Sequence, residues 1–202
     1  MKRVAAFVDG FNLYHALENL DSPKVKWLDL QGLVRSVLKS DEKLVSTLYF
    51  TAYATWDDEK AARHKKYIRA LELTGVQVIL GKFKRRNRTC RECGARAVDH
   101  EEKRTDVNIA THLLRGAFLN EFDLAIVVSG DTDLIPAIDA VKELFPAKRV
   151  GILFPMNRHT TEMEQSADFS ESVKLPALLA NRLPDQIRLP SGKYLTPPTE
   201  WQ

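Results

Sequence analysis

Apolar residues in this chain come in short blocks whose period switches in a regular order. Val4 to Val8 is a continuous apolar run that stops at Asp9-Gly10, the pattern of a buried strand followed by a turn. Phe11 to Leu20 reads as a helix, and Leu28 to Leu38 sets Leu30, Leu33, Val34, Val37 and Leu38 at helical spacing. Leu44 to Ala54 predicts a second strand. Asp57 to Leu73 predicts a charged amphipathic helix, opened by Asp57-Asp58 and closed by Gly75. Val76 to Phe83 alternates as a third strand. Lys84 to Lys103 then breaks the rhythm; it is polar and basic, and it reads as an insertion. Helical spacing returns over Asp106 to Phe118, followed by a strand over Leu124 to Ser129, a helix over Leu134 to Phe145 and a last strand over Arg149 to Phe154.

Strands alternating with helices predict an α/β domain, a parallel sheet with helices on both faces. From Leu183 onward prolines accumulate without periodicity, so residues 183–202 are expected to form a tail, packed on the domain of residues 1–182 or loosely ordered. A length of 202 residues, 44% of them hydrophobic, suits one domain with a good-sized core. The 30 Lys and Arg against 27 Asp and Glu leave a net charge of +3, which permits a nucleic-acid partner without demanding one. No apolar run is long enough to span a bilayer, and the opening MKRVAAFVDG does not read as a signal peptide because Asp9 cuts its apolar stretch short. A cytoplasmic location with no membrane partner is the expectation.

The chemistry gathers in carboxylates. Asp9 ends the first strand, and Asp131 and Asp133 follow the strand ending at Ser129. In an open parallel sheet, ligands bind beyond the carboxyl ends of the strands where the strand order reverses. If the two strands are neighbours there, Asp9 and Asp131 face one crevice. Asp106 at a helix start is aimed to join them, and Asn12 lies one helical turn beyond Asp9. Carboxylates that converge without matching lysines repel one another. Hard cations such as Mg²⁺ or Mn²⁺ relieve that repulsion and accept oxygen ligands. A lone Asp at such a junction is more often a helix cap, and Asp106 after Thr105 fits that role well. The conjunction of all these acids is harder to explain by capping.

The three ordered segments VDGFNLYHA, EKRTDVNIA and VVSGDTDLIPAI resemble a NYN domain of the PIN-like nuclease superfamily (the LabA-like, or DUF88, group), over most of the chain. The resemblance implies a three-layer PIN-like, Rossmann-like α/β fold with a central, mainly parallel sheet, and a metal-dependent ribonuclease that hydrolyses RNA phosphodiester bonds. It makes Asp9, Asp106, Asp131 and Asp133 the metal-binding and catalytic acids. Asn12 would orient substrate or water, and Ser129 and Thr132 would supply hydrogen bonds at the same site, to the acids or to nucleic acid. Glu102 is a candidate supporting acid or a solvated charge at a helix start.

Two features of the insertion carry chemistry of their own. Cys90 and Cys93 have the spacing of half a zinc site, with His100 as a candidate third ligand. His64, His112 or a second subunit would complete it, the last making a homodimer. Lys82, Lys84, Arg85, Arg86 and Arg88 form the densest basic run, suited to salt-sensitive phosphate contacts with single-stranded or structured RNA. Tyr53 and Trp56, after the second strand, are candidates to stack an unpaired base. The residues leave alternatives open: a non-catalytic RNA-binding or regulatory module, a DNase, or an interaction protein linked through zinc. No P-loop and no G-x-G-x-x-G occurs, so a bound nucleotide cofactor is not indicated.

Overall fold

The computed structural model describes residues 1–89 and 96–202. Its strands are β1 (Lys2–Asp9), β2 (Glu42–Thr51), β3 (Gln77–Leu80), β4 (Lys82–Thr89), β5 (Arg96–Lys103), β6 (Leu124–Val128), β7 (Arg149–Phe154), β8 (Phe169–Ser172), β9 (Ile187–Arg188) and β10 (Tyr194–Leu195). Its helices are α1 (Gly10–Glu18), α2 (Leu30–Arg35), α3 (Asp58–Leu73), α4 (Thr105–Phe118), α5 (Ile135–Leu144), α6 (Thr161–Ser166) and α7 (Leu175–Ala180). Six strands form one sheet in the order β3-β2-β1-β6-β7-β8, every neighbouring pair parallel.

β1 sits at the centre and is apolar on both faces, as a strand covered on both sides must be. Val4, Ala6 and Val8 point into one core with Leu13 and Leu17 of α1, Leu33 of α2 and Tyr67 and Leu71 of α3. Ala5 and Phe7 point into the other with Ile109 and Leu113 of α4, Ile138 of α5 and Met163 of α6. The result is the three-layer arrangement expected of a PIN-like fold, with the strand order reversing between β1 and β6.

One expectation needs correction, and two features go beyond the sequence reading. The strand foreseen over Val76 to Phe83 is divided at Gly81, whose N–H donates to the Thr51 carbonyl at 2.7 Å. β3 stays in the main sheet, while Lys82 and Phe83 belong to β4. The segment read as an insertion, Lys84 to Lys103, holds most of β4 and all of β5, which pair as an antiparallel hairpin outside the main sheet. It has almost no apolar alternation because it does not cover the domain core. The sheet also gains an edge strand, β8, whose Phe169-Ser-Glu-Ser sequence is too polar and short to stand out.

Residues after Leu183 pack on the domain. Trp27 Nε1 donates to the Pro184 carbonyl at 3.0 Å, and Trp201 meets the Tyr67 ring edge-on at 5.9 Å. Among the described residues, no helix is long and apolar enough to cross a membrane.

Candidate metal centre

The reversal point between β1 and β6 is where the sequence motifs meet. Asp9, at the last position of β1, is buried. It caps α1: the N–H groups of Phe11 and Asn12 donate to its Oδ1 at 3.1 and 3.0 Å. Its other oxygen accepts from Ser129 Oγ at 2.8 Å. Ser129 is fully buried, and its hydroxyl also accepts from the Asp131 N–H at 3.1 Å. Its hydroxyl is thus occupied in joining two acids rather than facing a nucleic acid. Asn12 ties the same strands, its Oδ1 accepting from the Gly130 N–H at 3.1 Å. Gly130 is required by contact: a Cβ there would lie 1.9 Å from the Arg158 carbonyl oxygen. Gly10 answers a similar need, since a Cβ would lie 2.5 Å from the Phe50 carbonyl oxygen.

Asp131 caps the short turn that leads into α5, accepting from the Asp133 N–H at 3.0 Å. Asp106 enters from the first turn of α4. Arg104 begins that helix with φ of 85°, a conformation disfavoured for a residue with a side chain. Glu102 fixes the start of the helix, accepting from the Thr105 N–H at 3.1 Å and from its hydroxyl. Asp9, Asp106 and Asp131 each offer an oxygen within 4.8 Å of the others. Asp133 is exposed and lies outside this group.

The electrostatics follow from that crowding. Burial, offset in part by its hydrogen bonds, leaves the Asp9 carboxyl above its ordinary range. Burial first, and then Asp131, Asp9 and Glu102, push Asp106 up to about 6. Among the described residues, none of the three acids forms an ion pair. A donor set made wholly of carboxylate oxygens suits a hard divalent cation.

The acids line a crevice of about 610 Å³. Phe83, His100 and Glu102 of the hairpin line it too. Strand register puts Arg85 opposite His100, on the same face as Phe83. Lys82, Lys84 and Arg86 alternate to the other face, where Arg86 pairs with Glu101 at 3.2 Å. Thr132 is half-buried beside Asp131. Of Cys90, Cys93 and His100, the core of the proposed zinc site, His100 is described, stacked on Trp56; Cys90 and Cys93 lie outside the described residues, as does the side chain of Arg88. His64, read from sequence as a candidate ligand, lines the crevice. Its Nε2 lies 3.2 Å from Thr51 Oγ1, and burial lowers its pKa to about 4.

Comparison with known proteins bears on the family and the fold. The family model for the NYN domain matches residues 3–173. The chain is 27% identical to 6-hydroxy-3-succinoylpyridine 3-monooxygenase HspA of Pseudomonas putida (strain DSM 28022 / S16), over 98% of this chain and 75% of that one. It is similar in fold to a crystal structure of a protein of unknown function from Vibrio parahaemolyticus RIMD 2210633. The TM-score is 0.58 at 18% identity, covering 86% of this chain and 94% of that one.

Proposed function

Because the chain belongs to the NYN domain family, within the PIN-like nuclease superfamily, we propose that it is a metal-dependent endoribonuclease. The observation that carries this reading is the convergence of Asp9, Asp106 and Asp131 within 4.8 Å at the reversal point of the sheet. When bound there, Mg²⁺ or Mn²⁺ supplies positive charge to the phosphate under attack and lowers the pKa of the attacking water. The chain's own residues do the rest. Asp9, Asp106 and Asp131 hold the cation, and Ser129 locks the first and third of them in register through its two hydrogen bonds. Asn12 keeps the loop after β6 against α1. Asp133, exposed beside the site, adds negative charge from outside the group and raises the Asp106 pKa slightly. Arg85, on the crevice face of the hairpin, contacts RNA phosphate.

A second reading has one observation behind it. A relative is named as a monooxygenase of a pyridine compound, and the crevice has aromatic walls that would seat such a ring. The donor set favours the nuclease: among the described residues no histidine joins the three acids, whereas mononuclear iron oxygenases commonly use two histidines and one carboxylate.

The test incubates purified protein with labelled single-stranded RNA, duplex RNA and single-stranded DNA, each with Mg²⁺, Mn²⁺ or EDTA. Metal-dependent cutting of RNA that EDTA abolishes is the expected result. Absence of cutting, with oxygen uptake on addition of NADH and a hydroxypyridine acid, would replace the nuclease by the hydroxylase.

A further inference from the structure

Beside the acids the crevice changes character. Its walls also carry Tyr14 of α1, Trp56 just before α3, Tyr67 of α3, Phe83 and His100 of the hairpin, and Trp201. Several of these rings hold one another in place. Trp56 lies flat on His100, with ring centroids 3.7 Å apart and planes 5° from parallel. It meets Phe83 edge-on at 4.5 Å, and Phe83 meets Phe11 edge-on at 5.2 Å. Cations share these walls: Lys60 and Arg63 from α3, and Lys26, whose ammonium sits 5.5 Å from the centre of the Tyr14 ring.

A single cavity therefore presents an acidic, cation-seeking group, aromatic faces and basic side chains. That combination matches one nucleotide of a single strand. The phosphate under attack would meet the acids through a cation, the base the rings, and a flanking phosphate the Lys26 ammonium, since Lys60 and Arg63 already pair with Asp57 and Glu200. The volume falls within the roughly 300–1,000 Å³ of ordinary ligand pockets. A paired base would first have to leave its helix to enter. Part of the wall lies beyond the residues that match the NYN model. Trp201 packs against Tyr67, and Glu200 binds Arg63 at 2.9 Å, so residues after 173 shape the cleft.

We propose that this aromatic cleft is a subsite for one unpaired nucleobase of single-stranded RNA, with Tyr14 supplying a stacking face. The proposal rests on the nuclease reading and adds to it a preference for unpaired RNA.

The test uses a short RNA carrying one 2-aminopurine, alone and annealed to its complement. Binding is followed in Ca²⁺, and cutting is followed separately in Mn²⁺. The single strand is expected to bind with quenching of the 2-aminopurine, and the duplex to bind more weakly. Tyr14→Leu should lose the quenching and weaken binding about tenfold. Tyr14→Phe, which keeps the ring, should retain both. Equal quenching and affinity in Tyr14→Leu, or a duplex that binds as tightly as the single strand, overturns the subsite; the nuclease reading survives if Mn²⁺-dependent cutting persists. Neither binding nor cutting by wild-type protein removes both. Should Tyr14→Leu fail to fold, Trp56→Ala at the exposed ring carries the same comparison.

Discussion

Strands β1 and β6 lie side by side, and charged residues mark both ends of the pair. At the amino ends Arg3 faces Asp123. The Arg3 backbone N–H donates to Asp123 Oδ2 at 2.7 Å, and Arg3 Nη2 donates to Oδ1 at 2.7 Å. The Arg3 hydrogen bonds hold the Asp123 carboxyl down to about 2. At the carboxyl ends Asp9 and Asp131 are joined by Asp106, no cation among the described residues pairs with them, and the pKa values of Asp9 and Asp106 move up instead. One end uses a carboxylate to hold the sheet together. The other concentrates like charge, which disfavours the folded state until a cation arrives.

That contrast is open to attack by experiment. The largest effect is expected from Asp131→Asn, which conserves volume and removes one charge. RNA cutting in Mn²⁺ should fall by about a thousandfold or more while the thermal midpoint stays near wild type. Asp123→Asn should leave cutting intact, and comparable losses in both variants would erase the distinction. Next comes pH. Asp106 must lose its proton to bind a cation, so Mn²⁺ affinity should fall roughly tenfold per unit as pH drops below about 6. Titration calorimetry between pH 7.5 and 5 reads this, and a flat affinity would remove Asp106 from the site.

A smaller effect separates the two faces of the hairpin by the same logic of paired and unpaired charge. Arg85→Gln should weaken RNA binding severalfold and reduce the salt slope by about one. Arg86, tied to Glu101, should matter less. A larger loss from Arg86→Gln than from Arg85→Gln would place the RNA on the other face.

The smallest effect is on stability in EDTA. Asp106→Asn should raise the thermal midpoint by about 2 °C, because it relieves a half-buried charge. Asp123→Asn should lower it by about 3 °C. The pH signs oppose one another as well. The folded pKa of Asp106 is raised, so its contribution to stability grows as pH falls from about 6 towards 4. The folded pKa of Asp123 is depressed, so its contribution is lost as pH falls from about 4 to 2. Urea midpoints of metal-free protein across pH 2 to 7 would show both limbs or refute the comparison.

Legibility in the sequence followed the same division between core and periphery. Asp9 and Asp131 were visible because each follows a dense apolar run, and an alternating α/β pattern assigns the ends of such runs to one edge. Asp133 carried the same sequence signal as Asp131, yet it faces solvent: backbone direction after Gly130 is fixed by the approach of Arg158, which no local pattern encodes. The hairpin was hidden because strands that stand off the core have no apolar face to repeat. β8 was hidden because an edge strand of four residues carries too few positions for a period. Trp201 could not be assigned to the crevice from sequence, since its partner Tyr67 is remote in the chain and the intervening tail has no rhythm. The elevation of Asp106 comes from neighbours on other elements and from burial, neither of which its flanking residues reveal.

The packing of Trp201 on Tyr67 also gives the protein a front and a back for engineering. Met1 is exposed and precedes β1, at the end of that central strand opposite the acids, so a purification tag joined there leaves the crevice clear. A tag or fusion partner joined after Gln202 begins one residue from a crevice wall. It would crowd the very surface on which a substrate is to be tested, and amino-terminal fusions are the arrangement in which activity should be sought.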